Sequence, residues 1–361
     1  MNFYNYWIVN MPIPKRTKNK LMSEFKNSED IYYALKNGYC DIINYEEIIN
    51  FFKNDYNDNI KRKINYLSED GVDLTLINSI NYPKSLLNIK NPPFGLFYKG
   101  NIEKLNDKYN VSIVGARKCS YYGRNVTELI CKELSINKIN IISGLARGID
   151  SIAHESALNN GGYTCGVLGC GIDMVYPKEN KKIYDIMKSR GCIISEFLPG
   201  TGPLKDNFPI RNRIISGLSQ LVIVIEAGEK SGSLITTSFA NDQGKYVMAV
   251  PGSVLSNCSM GTNRLIQDGA IVYTEVKDIF DCIKYTYTNT SNASCKNNVN
   301  DKFTYLENKI YNVINDNPIH IDDIIKITNI DINRLYEVLF ELQLKKHITC
   351  LAGNYYVKLY K

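Results

Sequence analysis

Histidine is scarce in this chain, and the residue spacings that usually hold metal ions are missing. The 361 residues include three histidines, and none of the ten cysteines belongs to a C-x-x-C pair. We therefore expect no metal site. No apolar run reaches the roughly 18 residues that cross a bilayer, and the N-terminal residues do not resemble a secretory signal. These absences predict a cytoplasmic protein with reduced thiols and no membrane partner.

The signatures of three enzyme classes are missing as well. The P-loop motif G-x-x-x-x-G-K-[ST] does not occur, nor does the G-x-S-x-G elbow of hydrolases. The first strand–helix turn reads Gly115-Ala-Arg117 instead of G-x-G-x-x-G, and its arginine would occupy the pyrophosphate site of a dinucleotide. Ser143, Asp150 and His154 suggest a triad, but Asp150 and His154 lie one helical turn apart. We expect a buried, hydrogen-bonded His154, no catalytic residue and no cofactor.

What the sequence does contain is a change of character along the chain. Helical periodicity, followed by a turn-rich stretch, predicts a small helical domain plus an irregular connector over residues 1–105. Between residues 106 and 285, short and nearly continuous apolar runs alternate with helix-like segments, which predicts a doubly wound, mostly parallel α/β sheet. The runs begin at Val111, Ile139, Thr164, Cys192, Leu221 and Tyr246.

The C-terminal part of the chain reads as a separate module. Residues 286–302 are polar and predict a linker. Residues 303–361 combine helical spacing with a hairpin around Ala352-Gly-Asn354, which predicts a small winged-helix-like domain. The whole chain carries a net charge of +6, which permits a polyanionic partner without requiring one.

Basic, hydroxyl-bearing and glycine residues follow several of the predicted strands. Ligands of open α/β sheets bind outside the carboxyl ends of the strands, so these loops should build one basic pocket. Helix N-termini there would add free N–H groups for an anion, with Asp150 predicted to cap one helix. Five aromatic residues are interleaved with the basic loops, and a few of them near the rim could stack bases. They are Tyr121, Tyr122, Tyr176, Phe197 and Phe208. The residues expected to bind a phosphate-bearing ligand are Gly115, Arg117, Arg147, Lys178, Asn180, Arg211, Asn212, Arg213, Ser231, Gly232 and Ser233.

Several sequence motifs of this chain resemble those of one known family, DNA-processing protein A (DprA, also called Smf). The similarity runs in order through the predicted α/β block and continues into the C-terminal hairpin. The strings that carry it include Val114-Gly-Ala-Arg117, Ser143-Gly-Leu-Ala-Arg-Gly-Ile-Asp-Ser-Ile-Ala-His154, Val175-Tyr-Pro-Lys-Glu-Asn180, Phe208-Pro-Ile-Arg-Asn-Arg213 and Gly261-Thr-Asn-Arg-Leu-Ile-Gln-Asp-Gly-Ala270.

The resemblance implies a Rossmann-like sheet that binds single-stranded DNA without reading its sequence. It implies loading of the RecA recombinase onto that DNA, in natural transformation or related recombination, by a non-catalytic homodimer. It also implies a sterile-alpha-motif-like (SAM-like) N-terminal domain, although Met11-Pro-Ile-Pro-Lys-Arg16 replaces the family's glycine-containing hairpin. By motif match, Arg117 and Lys178 are the leading backbone contacts, and Leu265 and Ile266 are interface candidates.

Two other hypotheses remain open from sequence. The first is a Rossmann-like nucleotide phosphoribohydrolase with Glu226 as its acid/base residue. Those enzymes carry a Pro-Gly-Gly-x-Gly-Thr loop, and this chain has Ala227-Gly-Glu-Lys-Ser-Gly-Ser233 instead. The second is a regulatory module whose winged helix reads duplex DNA. The C-terminal domain is not rich in arginine, which favours a protein-contact or packing role for it.

Overall fold

A computed structural model describes residues 1–38, 52, 54–107, 109–285, 303–315, 317–345 and 347–359. The chain forms two compact units. The first contains the N-terminal helices and a large sheet, and the second contains the described residues from 303 onward. The linker predicted over residues 286–302 lies outside the described residues.

The N-terminal region is helical, as its periodicity predicts. Asn2 caps the first helix, because its side-chain oxygen accepts hydrogen bonds from the N–H groups of Tyr4 and Asn5. Trp7, on that helix, is fully buried in a cluster with Tyr32 and Leu35. The helices are α1 (Phe3–Asn10), α2 (Lys15–Glu24), α3 (Ser28–Lys36) and α4 (Asn54–Glu69).

Nine strands form one sheet in the order β1-β2-β6-β5-β4-β3-β7-β8-β9. The seven strands from β6 to β9 in this order pair in parallel, and all six strands predicted from apolar runs are present. The mostly parallel α/β fold is therefore confirmed. The strands are β1 (Asp73–Leu76), β2 (Gly95–Gly100), β3 (Asn110–Val114), β4 (Asn140–Ser143), β5 (Thr164–Val167), β6 (Cys192–Ser195), β7 (Leu221–Val224), β8 (Tyr246–Ala249) and β9 (Ile271–Val272).

The turn-rich stretch before residue 105 is more regular than its sequence indicates. It contains β1 and β2, which pair with each other, and β2 also pairs antiparallel with β6, where Phe97 faces Ser195. Leu96 and Phe97 are fully buried, so these strands extend the core of the sheet. The interpretation of this stretch as an irregular connector was wrong, because short runs broken by glycine and proline hid the two strands.

Helices connect and cover the strands of the parallel part. Strands β3, β4, β5 and β7 run in the same direction, so the loops at their carboxyl ends meet at one edge of the sheet. The helices that connect and cover the strands are α5 (Tyr121–Ile136), α6 (Ile149–Asn159), α7 (Lys181–Arg190), α8 (Asn207–Leu218), α9 (Ser233–Asp242), α10 (Met260–Gln267) and α11 (Val276–Cys282).

The C-terminal unit has the winged-helix order of helices and hairpin that the sequence predicts. Thr304 and Glu307 form a capping box at its first helix. Ile324, Leu335 and Leu339 are buried in its small core. Its elements are α12 (Tyr305–Tyr311), β10 (Ile319–His320), α13 (Ile321–Thr328), α14 (Ile332–Leu344), β11 (Ile348–Leu351) and β12 (Tyr355–Lys358), with the strands in the order β10-β12-β11.

Candidate nucleic-acid interface

A cavity of about 560 Å³ opens where the loops after β3, β4 and β7 meet the start of helix α8. We call it the cleft. Seven of the eleven residues predicted to bind a phosphate-bearing ligand line it, together with Asp150 and two of the five aromatic candidates, Tyr176 and Phe208. The cleft-lining residues include Gly115, Arg117, Asp150, Tyr176, Lys205, Phe208, Arg211, Asn212, Ser231, Gly232 and Ser233.

Arg117 presents an exposed cation beside an aromatic surface. Its guanidinium carbon lies 5.9 Å from the centre of the Phe208 ring. The ring of Tyr176, which is 43% exposed, lies 5.6 Å from that of Phe208 at an angle of 41°. A charged fork next to two accessible rings can hold a phosphate on one side and a planar base on the other.

Arg211 holds the floor of the cleft together. Its side chain is 5% exposed, and its guanidinium donates to the carbonyl oxygens of Gly144, at 2.6 Å, and Val167. Gly144 directly follows β4, and Val167 is the last residue of β5, so one side chain joins two strand ends. Burial lowers the pKa of Arg211 to about 10, an effect that the nearby Asp150 carboxylate partly offsets.

Asp150 completes this arrangement, although it is not the helix cap that the sequence suggests. The capping position of helix α6 is Gly148, and Asp150 lies in the first turn. Its Oδ2 accepts hydrogen bonds from the N–H groups of Gly144 at 3.2 Å and Ala146 at 3.3 Å. Burial raises the pKa of the Asp150 carboxyl, while Arg211 and these two N–H groups favour its charged form. Asp150 therefore shapes the loop after β4.

Arg213 and Asn180 also donate to protein groups. The guanidinium of Arg213 lies 2.5 Å from a carboxylate oxygen of Glu196, and Lys15 approaches the same carboxylate at 3.5 Å. The side-chain nitrogen of Asn180 donates to the Leu145 carbonyl at 2.8 Å. Both side chains are at least nine-tenths buried. The structure places them behind the surface of the cleft, and a contact to a ligand stays a prediction for both.

The remaining predicted residues divide between the cleft and its surroundings. Ser231 and Ser233 share a hydrogen bond of 2.7 Å at the start of helix α9. Arg147 and Lys178 are exposed on neighbouring loops but do not line the cleft, and Arg147 forms an ion pair with Glu179 at 2.7 Å.

The two interface candidates lie outside the cleft, whereas a lysine that was not predicted lies in it. Leu265, an interface candidate on α10, packs partly against the sheet core, and neither it nor the neighbouring Ile266 lines the cleft. Lys205, which sequence reasoning missed, is an exposed cation in the cleft. Its signal was weak, because Lys205 stands alone in the loop that leads into α8.

Gly148 fixes the position of the Arg117 loop, and we expect Gly148→Ala to disturb it. The residue has a φ of +74°, and an added Cβ would lie 2.3 Å from the Ala116 carbonyl oxygen. We expect a loss of about 3 kcal/mol in the free energy of unfolding, measured by denaturant titration. Gly161→Ala is the matched control, since φ is +71° there with nothing within 4 Å, and should cost about 1 kcal/mol. Equal losses would contradict the steric role.

His154 is fully buried, and its Nδ1 lies 2.6 Å from Thr164 Oγ1, which confirms the expected structural histidine. Burial lowers its pKa from 6.5 to about 3. Between these values the unfolded chain binds a proton that the folded chain excludes, so His154 destabilises the fold as the pH falls below 6.5. From pH 7.5 to pH 5 we expect this effect to reach about 2 kcal/mol.

The measurement compares chemical unfolding of the wild type and His154→Asn at the two pH values. Carboxylates elsewhere titrate equally in both proteins, so the difference between the two free energies of unfolding isolates His154. That difference should change by about 2 kcal/mol in favour of the variant at the lower pH. A difference that is independent of pH would show that His154 is not held neutral.

The fold and the cleft together define a class: a Rossmann-like protein with a cleft lined by basic and aromatic residues at the carboxyl edge of its sheet, followed in the chain by a winged helix. A family model described as DNA recombination-mediator protein A matches residues 73–284, and a DprA winged-helix model matches residues 302–354. The chain belongs to this family, DNA-processing protein A, as its motifs indicated.

Two relatives agree with this assignment. The DNA processing protein DprA of Streptococcus pneumoniae is 46% identical over 198 residues, which cover 55% of this chain and 70% of the relative. That of Bacillus subtilis is 42% identical over 213 residues, which cover 59% of this chain and 72% of the relative.

Solved structures give the same result. The crystal structure of the Streptococcus pneumoniae protein matches with a TM-score of 0.63 and 34% identity, covering 78% of this chain and 98% of that one. A second structure is that of DNA processing protein A from Helicobacter pylori, reported for its single-stranded DNA binding mode. It matches with a TM-score of 0.54 and 31% identity, covering 59% of this chain and 96% of that one.

Membrane-spanning helices and metal-binding clusters are both absent from the described residues. No helix in this part of the chain has the length and hydropathy to span a membrane. No group of three or more histidine, cysteine, aspartate or glutamate side chains is placed there to hold a metal ion.

Proposed function

We propose that this chain binds single-stranded DNA in the cleft, and that it holds the phosphodiester backbone without reading base sequence. The observation that carries the proposal is the exposed Arg117 guanidinium beside the Phe208 and Tyr176 rings. The relative from Helicobacter pylori is described as a single-stranded DNA binder, which supports the same ligand here.

The charges and surfaces of the cleft suit this ligand. Arg117 and Lys205 are exposed cations, whereas the carboxylate of Asp150 is turned to the N–H groups of the loop after β4. Bases can stack on Tyr176 and Phe208 whatever their identity, and such stacking contributes about 1–3 kcal/mol per base. Paired bases in a duplex are stacked on each other and cannot reach these rings. Single strands should therefore be preferred.

We further propose that the bound chain loads the RecA recombinase onto single-stranded DNA, in natural transformation or a related recombination process. The family description as a recombination mediator supports this role. A test is RecA-dependent strand exchange on DNA already covered by single-strand binding protein. Addition of this chain should shorten the lag, and Arg117→Ala should not.

A homodimer formed near Leu265 and Ile266 belongs to the same proposal. Strand β9, next to helix α10, has one strand neighbour among the described strands, so its outer edge is available for pairing. Ile271 and Val272 in β9 are more than one-third exposed. Sedimentation should show a dimer that Ile266→Glu weakens.

We also propose that the chain is not an enzyme. Glu226, the acid/base candidate of the alternative hypothesis, is 2% exposed and does not line the cleft. Incubation with nucleoside monophosphates tests this point, because release of a free base would restore the phosphoribohydrolase hypothesis.

Fluorescence anisotropy tests the DNA-binding proposal. A labelled oligo-dT and a matched duplex are titrated with the full chain over a series of salt concentrations. We expect tighter binding to the single strand, with a logarithmic salt slope of about −0.7 for each phosphate neutralised. Equal and weak binding to both DNAs would contradict the proposal.

A further inference from the structure

Helix α14 of the winged-helix unit carries an apolar stripe on its outer face. The four residues repeat every fourth position and are 44–68% exposed. Separate residues on the other side of the helix fill the core, so the fold of the unit does not need the stripe. The stripe consists of Ile332, Tyr336, Phe340 and Leu344, and the core residues of α14 are Leu335, Val338, Leu339 and Leu342.

The charge of helix α14 does not suit DNA. As the third helix of the unit, it holds the place that helix–turn–helix proteins use to read the major groove. Arg334 is its single basic residue, and this guanidinium lies 2.5 Å from the Glu337 carboxylate. Glu341 adds a second negative charge, and residues 303–361 contain seven acidic and seven basic residues. Phosphate binding needs an excess of cations that this surface lacks.

The order of side chains in the stripe matches a second copy of itself. It reads aliphatic, aromatic, aromatic, aliphatic, so it is symmetric about the point between Tyr336 and Phe340. When two copies of α14 lie antiparallel about a two-fold axis at that point, Tyr336 meets Phe340 and Ile332 meets Leu344. Ridges of residues four apart pack best against equal ridges, in the commonest class of helix packing. An isologous contact supplies such ridges from both sides.

We propose that α14 is a self-association surface, at which the winged helices of two chains pair antiparallel through the stripe. A large side chain has a surface of about 150–250 Å². Multiplied by the exposed fractions of the four side chains, this gives an accessible stripe of roughly 400 Å² per chain. The roughly 800 Å² buried in total is below the 1,200–2,000 Å² of stable complexes. The contact is therefore weak and acts where chains are already concentrated. It does not depend on DNA binding in the cleft.

Site-specific cross-linking of full-length chains tests the pairing. In a Cys350→Ser background, which removes an exposed thiol, a chain with Tyr336→Cys is mixed with a tagged chain carrying Phe340→Cys. A short bismaleimide is added, and the mixed dimer is read from a gel. The mixture of Ile332→Cys with Leu344→Cys is the second expected pair. These positions are exposed, so the variants should fold.

The matched control is the mixture of Ile332→Cys with Tyr336→Cys. In the antiparallel pairing these two positions lie two helical turns out of register, about 12 Å along the axis. We expect at least fivefold more mixed dimer from each of the two expected pairs than from this control. Equal yields from all three mixtures, or yields no higher than in the Cys350→Ser background, would overturn the proposal.

Discussion

Replacing Arg211 with methionine is expected to lower the midpoint of thermal unfolding by about 10 °C. Leaving a buried acceptor without its donor costs about 1–3 kcal/mol for each group, and each kcal/mol lowers the midpoint by about 2–4 °C in a domain of this size. Methionine fills much of the same volume but donates no hydrogen bond. The carbonyl oxygens of Gly144 and Val167 would lose their partner, and the buried Asp150 would lose its counter-charge.

The matched control is Arg62→Met, in helix α4. Arg62 is exposed, so the same chemical change should move the midpoint by less than about 2 °C. Calorimetry or circular dichroism measures both variants. If Arg211→Met unfolds at the temperature of the control, Arg211 does not hold the two strand ends together.

Replacing Arg117 with alanine is expected to weaken binding of oligo-dT about 10- to 100-fold at low salt, because a hydrogen bond to a charged group contributes about 1.5–3 kcal/mol. The side chain is exposed, and an alanine there removes a cation without emptying a packed site. The logarithmic salt slope should become shallower by about 0.7, the contribution of one phosphate. The unfolding midpoint should stay unchanged, in contrast to Arg211→Met.

Arg62→Ala again serves as the control, because it removes the same charge outside the cleft. Arg62→Ala lowers the net charge by the same amount as Arg117→Ala. A loss of DNA affinity that both variants share therefore reports only long-range electrostatic attraction between the protein and the DNA. Isotherms that coincide for Arg117→Ala and Arg62→Ala at every salt concentration would remove Arg117 from the binding site.

Much of the fold could be predicted because its central strands are buried on both faces. Such strands read as continuous apolar runs, and β3 to β8 were all found in this way. Strands β1 and β2 were missed for a physical reason. Three prolines lie between them. The pairing of β2 with β6 also joins strands about 100 residues apart in the chain, which local periodicity does not reveal.

The residues that gather at the candidate site could be predicted, but not which of them are exposed to a ligand and which hold the loops together. Arg117 and Arg211 look alike in sequence, since both are arginines near strand ends. They differ because Arg117 is exposed, whereas Arg211 is buried and donates to the carbonyls of Gly144 and Val167. Both carbonyls lie more than 40 residues away in the chain, so the local sequence does not reveal these contacts. Likewise, no pattern near Arg213 in the sequence predicts its ion pair with Glu196.

The most direct test of the account is to find where the single strand lies. An oligo-dT in which some thymines are replaced by photoreactive 5-iodouracil is bound to the full chain and irradiated, and the attached peptides are identified by mass spectrometry. The account predicts attachment at the cleft aromatics, Tyr176 and Phe208. Attachment confined to the winged-helix residues 303–361 would contradict it, because the DNA would then lie outside the cleft.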